Sequence, residues 1–447
     1  MKILLVNQSS AVNIGDRAIH AETLRVLAQA FPQAEVALTF HEAAAAREVF
    51  AGYTIYESLD NWAYRIDEAG RPQIAGLGQR VADLLRLALG ALVYRASRRA
   101  PRLFAEPSKQ ALFEAFAAAD LVLACGGGYL YDTITPRGLL GQLVSFFTWS
   151  VFLLGGFLLP LALGKPLVLL PQSIGPLRDG VRRRATRWIV RRALLTFVRE
   201  RRSLDLLEEL GCAQRALCAP DMAFGMQSAP AEQAREVLGR AGLWEIPAAF
   251  RVGMTALDWG GQDRTFAGQE RYERAMLECI DDITAQGGVV VLFNQCGGAA
   301  EEWDDSRVNL RLRAAARQPE RVVVLNELLP PELLQAAYGQ MDYFVGTRMH
   351  SVILALNAGV PAIAIGYLHK SQGIMRELGQ ADRCLDISTV SGPDLIEAFA
   401  RLRAEGRRPS SDAYIARARR FKRSLATLLP LLVENNTKVV VRGRMAS

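Results

Sequence analysis

The chain has 447 residues, 50% hydrophobic and 22% charged, which excludes a disordered protein and is too long for one ordinary core. Six cysteines without a CxxC pair and only four histidines argue against a zinc cluster and a disulfide framework, and point to a reducing compartment. The net charge of +7 is unevenly placed: from Arg178 to Arg202 ten arginines face only Asp179 and Glu200, a local +8, but without interleaved aromatics or a finger or helix-turn-helix spacing, so nucleic acid is not expected.

The apolar run after Lys2, Ile3 to Val6, is too short for a signal-peptide core and reads as a first strand, with the cytoplasm as the expected compartment. Short β-branched runs then alternate with longer helical ones, the pattern of parallel α/β sheets. Strands are expected at 2–6, 35–39, 120–124, 166–170, 195–198 and 215–218, with helices near 16–30, 109–118, 139–162, 180–193 and 203–210. Residues 52–108 break the alternation and read as an insertion. The pattern restarts with strands near 250–255, 288–293, 321–325, 342–345, 362–365 and 383–386 and helices between them. The expected organisation is an N-terminal Rossmann-like domain over 1–224, a linker over 225–248 and a C-terminal Rossmann-like domain over 249–408. A helix within 409–437 would pack back on the first domain, and 438–447 form a tail. Two such halves facing a cleft would hold a ligand beyond the carboxyl ends of their strands.

Two stretches raise the question of a membrane. From Gly138 to Gly164 no residue is charged, longer than the roughly 20 residues of a spanning helix. Gly155, Gly156 and Pro160 interrupt it, and it joins two expected strands of one sheet, so a buried crossover helix is the first reading and interfacial membrane contact the second. In 80–99, Val81, Leu84, Leu85, Leu87, Leu89 and Leu92 precede Arg95, Arg98 and Arg99. That pattern suits a membrane surface, a partner helix or the protein's own core. The arginines of 178–202 suit either a solvated helix face or an anionic ligand such as a pyrophosphate.

The candidate chemistry sits at strand exits. After the first strand, Asn13-Ile14-Gly15-Asp16 forms a small polar turn before a helix; Gly15 allows close backbone approach and Asp16 can cap the helix. Cys125-Gly126-Gly127-Gly128 follows the third strand without the Gly-Lys-Ser/Thr of a phosphate loop. Gln172 and Ser173, between Pro171 and Pro176, offer hydrogen bonds to sugar hydroxyls or form a rigid turn. Arg199 closes the next strand as a clamp for carboxylate or phosphate, and Asp221, at the end of another strand, either forms a structural turn or orients Arg199 or a sugar. Gly346-Thr347-Arg348-Met349-His350 joins a strand to a helix. There a bound phosphate would favour a protonated His350, which suits general acid–base work. Lys370 could reach a phosphate, Asp304 and Asp305 read first as helix-capping and second as holding a sugar, and His20 and His41 read as structural residues on helical patterns.

The order of Asn13 to Asp16, Gly126 to Gly128, Gln172 to Pro176, Arg199 to Ser203, Pro220-Asp221, Gly346 to His350 and Tyr367…Lys370…Gly373 resembles the polysaccharide pyruvyl transferase family over nearly the whole chain. The resemblance implies a GT-B-like fold, phosphoenolpyruvate (PEP) as donor substrate, no cofactor and no obligatory metal. It implies a pyruvate ketal formed on a sugar diol of an exopolysaccharide or cell-wall glycan, or on its lipid-linked precursor at the inner face of the membrane. Arg199 and His350 match the family's PEP-binding positions, with Arg348 and Lys370 as neighbours. A glycosyltransferase using a nucleotide sugar would share the fold and stands as the alternative.

Overall fold

The computed structural model describes residues 1–8, 10–66, 72–132, 138–146, 151–262, 266–297, 304–367 and 369–445. The chain divides into two compact units: unit 1 comprises Met1–Ala11, Thr23–Asp221 and Phe421–Ser447, and unit 2 comprises Val12–Glu22 and Met222–Arg420.

The strands of unit 1 are β1 (Lys2–Gln8), β2 (Glu35–Phe40), β3 (Thr54–Glu57), β4 (Tyr64–Ile66), β5 (Pro72–Ile74), β6 (Leu121–Ala124), β7 (Gly127–Leu130), β8 (Leu167–Ile174), β9 (Leu195–Val198) and β10 (Ala216–Cys218). The main sheet runs β10-β9-β8-β6-β1-β2-β3, with β7 added alongside β8; β4 and β5 form a separate antiparallel pair. The strands of the main sheet pair in parallel, and the strand order reverses between β1 and β6. Central strands of a parallel sheet are covered on both faces, which is why Ile3–Val6, Leu121–Ala124 and Leu167–Leu170 are unbroken apolar runs. Phe113, Phe116, Phe157 and Ile189 from the crossover helices pack with Leu4, Val122 and Leu169 in the core.

Two sequence expectations change here. Within 52–108 lie β3, which extends the main sheet, and the helix Leu77–Ser97, so this stretch is partly integral to the fold. The four-residue strand β3 is too short to show an alternation. The uncharged run is not one helix: it contains Gly138–Ser145, Val151–Leu153 and Gly155–Leu163. The last is buried through Phe157, Leu159 and Leu163, as a crossover helix should be. Among the described residues no helix is long and apolar enough to cross a membrane.

Unit 2 carries β11 (Arg251–Thr255), β12 (Val289–Phe293), β13 (Val322–Leu325), β14 (Tyr343–Gly346), β15 (Ala362–Gly366) and β16 (Cys384–Asp386), close to the expected positions. Its order is β13-β12-β11-β14-β15-β16, all parallel, so the reversal falls between β11 and β14. This is the doubly wound arrangement, in which ligands bind outside the carboxyl ends of the strands at the reversal. Helix Gln269–Ala285 buries Tyr272, Met276, Ile280 and Ile283 against the sheet, with Phe399 and Leu402 of Gly392–Glu405 in the same core. A reciprocal capping box, Ser391 with Asp394, starts that latter helix. The final helix, Pro409–Met445, passes from unit 2 into unit 1 at Phe421 and runs beyond the expected 409–437 into the stretch expected as a tail.

Candidate active site

The residues singled out by sequence fall into two clusters, one in each unit. In unit 1, Gly127 pairs with Gln172 across β7 and β8, and Gly128 lies beside Ser173. Gly127 has φ +155°, a backbone state that a side chain would strain. Gln172 and Ser173 belong to β8 itself, so the expected turn begins later. Arg199 follows β9 and is only 1% exposed. Its Nη1 donates to Asp221 Oδ2 at 2.6 Å and its Nε to Ser173 Oγ at 2.7 Å. The Ser173 hydroxyl donates to Glu200 Oε2 at 2.9 Å, and Glu200 Oε1 accepts from Ser203 at 2.5 Å. Asp221, Arg199, Ser173, Glu200 and Ser203 thus form one buried chain of charge-assisted hydrogen bonds lashing the ends of β8, β9 and β10. Arg199 is therefore enclosed here, where sequence suggested an open clamp. A buried guanidinium needs its carboxylate, and Asp221 and Glu200 both reach it. The Gln172 amide is fully buried and has no hydrogen-bond partner among the described residues.

In unit 2, three loops meet at the reversal of the sheet. Asn13 bridges to Cys296, the Ile14 N–H donates to the Gln295 carbonyl at 3.0 Å, and the Gly297 N–H donates to the Val12 carbonyl. The turn Asn13–Asp16 is thereby stitched to the loop after β12. The helix Ile14–Ala30 is capped by Asn13, not Asp16: Asn13 Oδ1 accepts from the Gly15 N–H at 2.9 Å and from the Asp16 N–H at 3.4 Å. The preference for Asn at such a position is as strong as for Asp, and Asn13 stands where the chain turns. Asp16 instead places its negative charge in the first turn.

The third loop leaves β14. Thr347 and Ser351 are pinned to Thr255 of β11 by the Thr347 N–H at 3.2 Å and a hydroxyl pair at 2.8 Å, and Tyr272 shares a 2.7 Å hydrogen bond with Thr347. Helix Met349–Asn357 begins there, with Arg348 at its N-cap and His350 in its first turn. Arg348 is buried, and its Nε and Nη2 make a bidentate pair with Asp305 at 2.7 and 2.6 Å. The Asp305 carboxylate also accepts from the N–H groups of Gln295 and Cys296 at 3.3 and 3.1 Å. Burial works against the Arg348 charge, but the Asp305 carboxylate outweighs it and holds the guanidinium above its ordinary pKa. Asp305 is the residue that sequence undervalued. Asp304 makes the cap, accepting from the Ser306 N–H at 2.9 Å, and frees Asp305 to reach Arg348 across 43 positions of chain, a pairing that no local pattern announces.

His350 lies against Gly15. A Cβ at Gly15 would sit 2.3 Å from His350 Nδ1 and 2.5 Å from its Cγ, so only glycine leaves room for the ring. His20, one turn further along the first helix, is fully buried; burial, then the charge of Arg17, then His350 push its pKa down to about 3, and it is neutral at physiological pH. Arg17 itself is held below its ordinary pKa by burial, which Glu332 opposes, and its Nε has no hydrogen-bond partner among the described residues. Arg17 is thus a second cation of this cluster that sequence reading passed over. The side chain of Lys370 lies outside the described residues.

His41 is not on a helix as expected. It follows β2 directly, at that strand's carboxyl end. Its Nε2 meets Asp60 Oδ2 at 3.0 Å and its Nδ1 meets Asn61 Oδ1 at 2.9 Å. Asn61 spends its own NH₂ on the His41 carbonyl and Glu57, so its oxygen must accept and the imidazole must donate through both nitrogens. The ring is an imidazolium: burial opposes the charge, but Asp60 and these bonds raise its pKa to about 9. It lines a hollow of about 550 Å³ with Glu42, Arg47, Tyr56 and Glu57. Among the described residues no group of three His, Cys, Asp or Glu side chains could hold a metal ion.

Two parallel doubly wound sheets define a GT-B-like α/β protein. Solved structures with this fold include Anabaena Alr3699/HepE in complex with UDP-glucose, at TM-score 0.53 and 13% identity, covering 98% of this chain and 100% of that one. A second is a UDP-N-acetylglucosamine 2-epimerase from Listeria monocytogenes, at TM-score 0.52 and 13% identity, covering 93% and 91%. Identities this low establish the fold alone. The family profile described as polysaccharide pyruvyl transferase matches residues 13–369, and the chain belongs to that family. The amylovoran biosynthesis protein AmsJ of Erwinia amylovora is 27% identical over 283 residues, which is 62% of this chain and 64% of that protein's length.

Proposed function

We propose that the protein transfers pyruvate from PEP to a sugar diol of a bacterial polysaccharide or its lipid-linked precursor, forming a pyruvate ketal and releasing phosphate. The observation that carries this reading is the convergence of the Asn13–Asp16 turn, the Gln295–Gly297 loop and the Thr347–His350 junction at the reversal of the second sheet, in a chain of the pyruvyl transferase family. Helix N-termini attract anions, and PEP brings both a phosphate and a carboxylate.

In this reading His350 delivers a proton to the PEP methylene carbon, which becomes a methyl group and leaves the central carbon electrophilic. One sugar hydroxyl attacks that carbon, the carbon–oxygen bond to phosphate breaks, and the second hydroxyl closes the ring. Of the two hydroxyl protons, one restores His350 and the other leaves with phosphate. Arg348, fixed by Asp305, supplies a permanent positive charge beside His350, and Arg17 the more adaptable one. Preorganised charge of this kind is the usual large contribution to rate. Arg199 and Asp221 hold the strand ends of unit 1.

The test is phosphate release from PEP by purified protein, with and without a pool of lipid-linked bacterial oligosaccharides. Acceptor-dependent release with a pyruvyl-sized mass gain on the sugar is expected. His350→Ala should lower turnover by roughly 10²- to 10⁴-fold with the fold intact. Consumption of a nucleotide sugar without PEP would select the glycosyltransferase instead.

A further inference from the structure

The helix Leu77–Ser97 is apolar on both sides. Asp83, Leu87, Gly90, Ala91 and Tyr94 face inward, in contact with the unit 1 core. On the opposite side Val81, Leu85, Leu89 and Leu92 recur at intervals of three and four and stand in solvent, Leu85 at 65% and Leu92 at 69% exposed. A solvent-facing row of leucines on a helix whose other face already fills the core costs solubility without adding to the fold. The charges are also sorted. The only acid on the helix, Asp83, is 1% exposed and paired with Lys109 and Arg86. Arg86, Arg95, Arg98 and Arg99 are all exposed. Arg98 ends the helix in the left-handed conformation, and Lys165 joins the basic end by stacking over Tyr94.

A second apolar projection belongs to the same unit. Helix Gly155–Leu163 packs against both Leu77–Ser97 and Gly180–Arg192, and Gly138–Ser145 packs on the latter with Leu139 and Leu140 outward, at 66% and 75% exposed. An exposed leucine row ended by arginines, with its acid withdrawn, is complementary to a surface that is apolar inside and anionic outside.

We propose that the outer face of Leu77–Ser97 docks unit 1 on an anionic lipid bilayer, with Leu85, Leu89 and Leu92 entering the headgroup boundary and Arg95, Arg98 and Arg99 meeting lipid phosphates. This rests on the exposed face alone and holds whatever acceptor the enzyme uses. The test is flotation of the full chain with phosphatidylcholine vesicles, with and without phosphatidylglycerol. Binding is expected only with the anionic lipid, and about tenfold weaker after Leu85→Glu, Leu89→Glu and Leu92→Glu together. If that variant misfolds, Arg95→Gln with Arg98→Gln and Arg99→Gln, all exposed, should reduce binding by about tenfold or more and lessen its salt dependence. Two results would overturn the proposal. One is no flotation of the wild type. The other is a wild-type dimer that the leucine variant converts to monomer without change in vesicle binding, which would assign the face to a second copy. PEP-dependent phosphate release on a water-soluble acceptor should be unchanged in either variant, so failure of docking and failure of the proposed activity are read separately.

Discussion

Each unit buries an arginine just beyond the carboxyl end of a strand of its sheet, Arg199 after β9 and Arg348 after β14, and the two are satisfied differently. In unit 1, Arg199 answers two carboxylates, Asp221 and Glu200, through a chain that includes Ser173 and Ser203. In unit 2, Arg348 answers one carboxylate among the described residues, Asp305, and backbone N–H groups of Gln295 and Cys296 share it. The first arrangement ties three neighbouring strands together. The second ties the loop after β12 to the loop after β14 and holds the histidine junction in place. Both arginines therefore act first on the protein, and only the second stands among the groups expected to do chemistry.

That difference gives the largest expected effect. Arg199→Met leaves two buried carboxylates without a cation and should destabilise unit 1 by about 5 kcal/mol, the upper end for a broken buried pair. Arg348→Met leaves one carboxylate that keeps its two backbone donors, and should cost about 3 kcal/mol. Denaturant unfolding combined with hydrogen exchange, read over 167–221 for the first and 289–357 for the second, checks both. Equal losses would remove the contrast between the networks.

A smaller change should sharpen what unit 2 does. Gly15→Ala would thrust a methyl group into His350. Displacing a reacting group by about an ångström costs roughly a hundredfold in rate, so phosphate release should fall about that much while thermal unfolding moves by only a few degrees. Normal turnover in this variant would separate Gly15 and His350 from the chemistry.

Two histidines, half-buried His41 and buried His20, predict opposite pH responses. His41 in unit 1 is raised from 6.5 to about 9. Its contribution to stability is complete below pH 6.5 and is lost as the pH rises through 9. His20 in unit 2 is lowered from 6.5 to about 3. Its contribution is complete above pH 6.5 and is lost as the pH falls towards 3. His41→Gln should flatten the alkaline limb of the stability profile and His20→Gln the acid limb, as measured by melting temperature from pH 4 to 10, about the range these two values span. Crossed effects would refute both protonation assignments. The smallest effect is expected from Asn13→Ala, about 1 kcal/mol for a lost helix cap, measured by denaturant unfolding.

Sequence alone determined the class of this protein. Unbroken apolar runs such as Leu121–Ala124 and Val289–Phe293, alternating with helical patterns, read as central strands of parallel sheets, and the order of motifs from Asn13 to Gly373 marked the resemblance to the family. The site residues were legible as strand exits because backbone groups are free there. What only the tertiary structure decided was partnership. Asp305 and Arg348, Gly15 and His350, and Ser173 and Arg199 are brought together by sheet order, which no local periodicity encodes. The same holds for the exposure of Leu85 and Leu92: the apolar and basic pattern of 80–99 suited a core helix, a partner or a membrane. Only the packing of the opposite face against the unit 1 core shows which leucines remain outside.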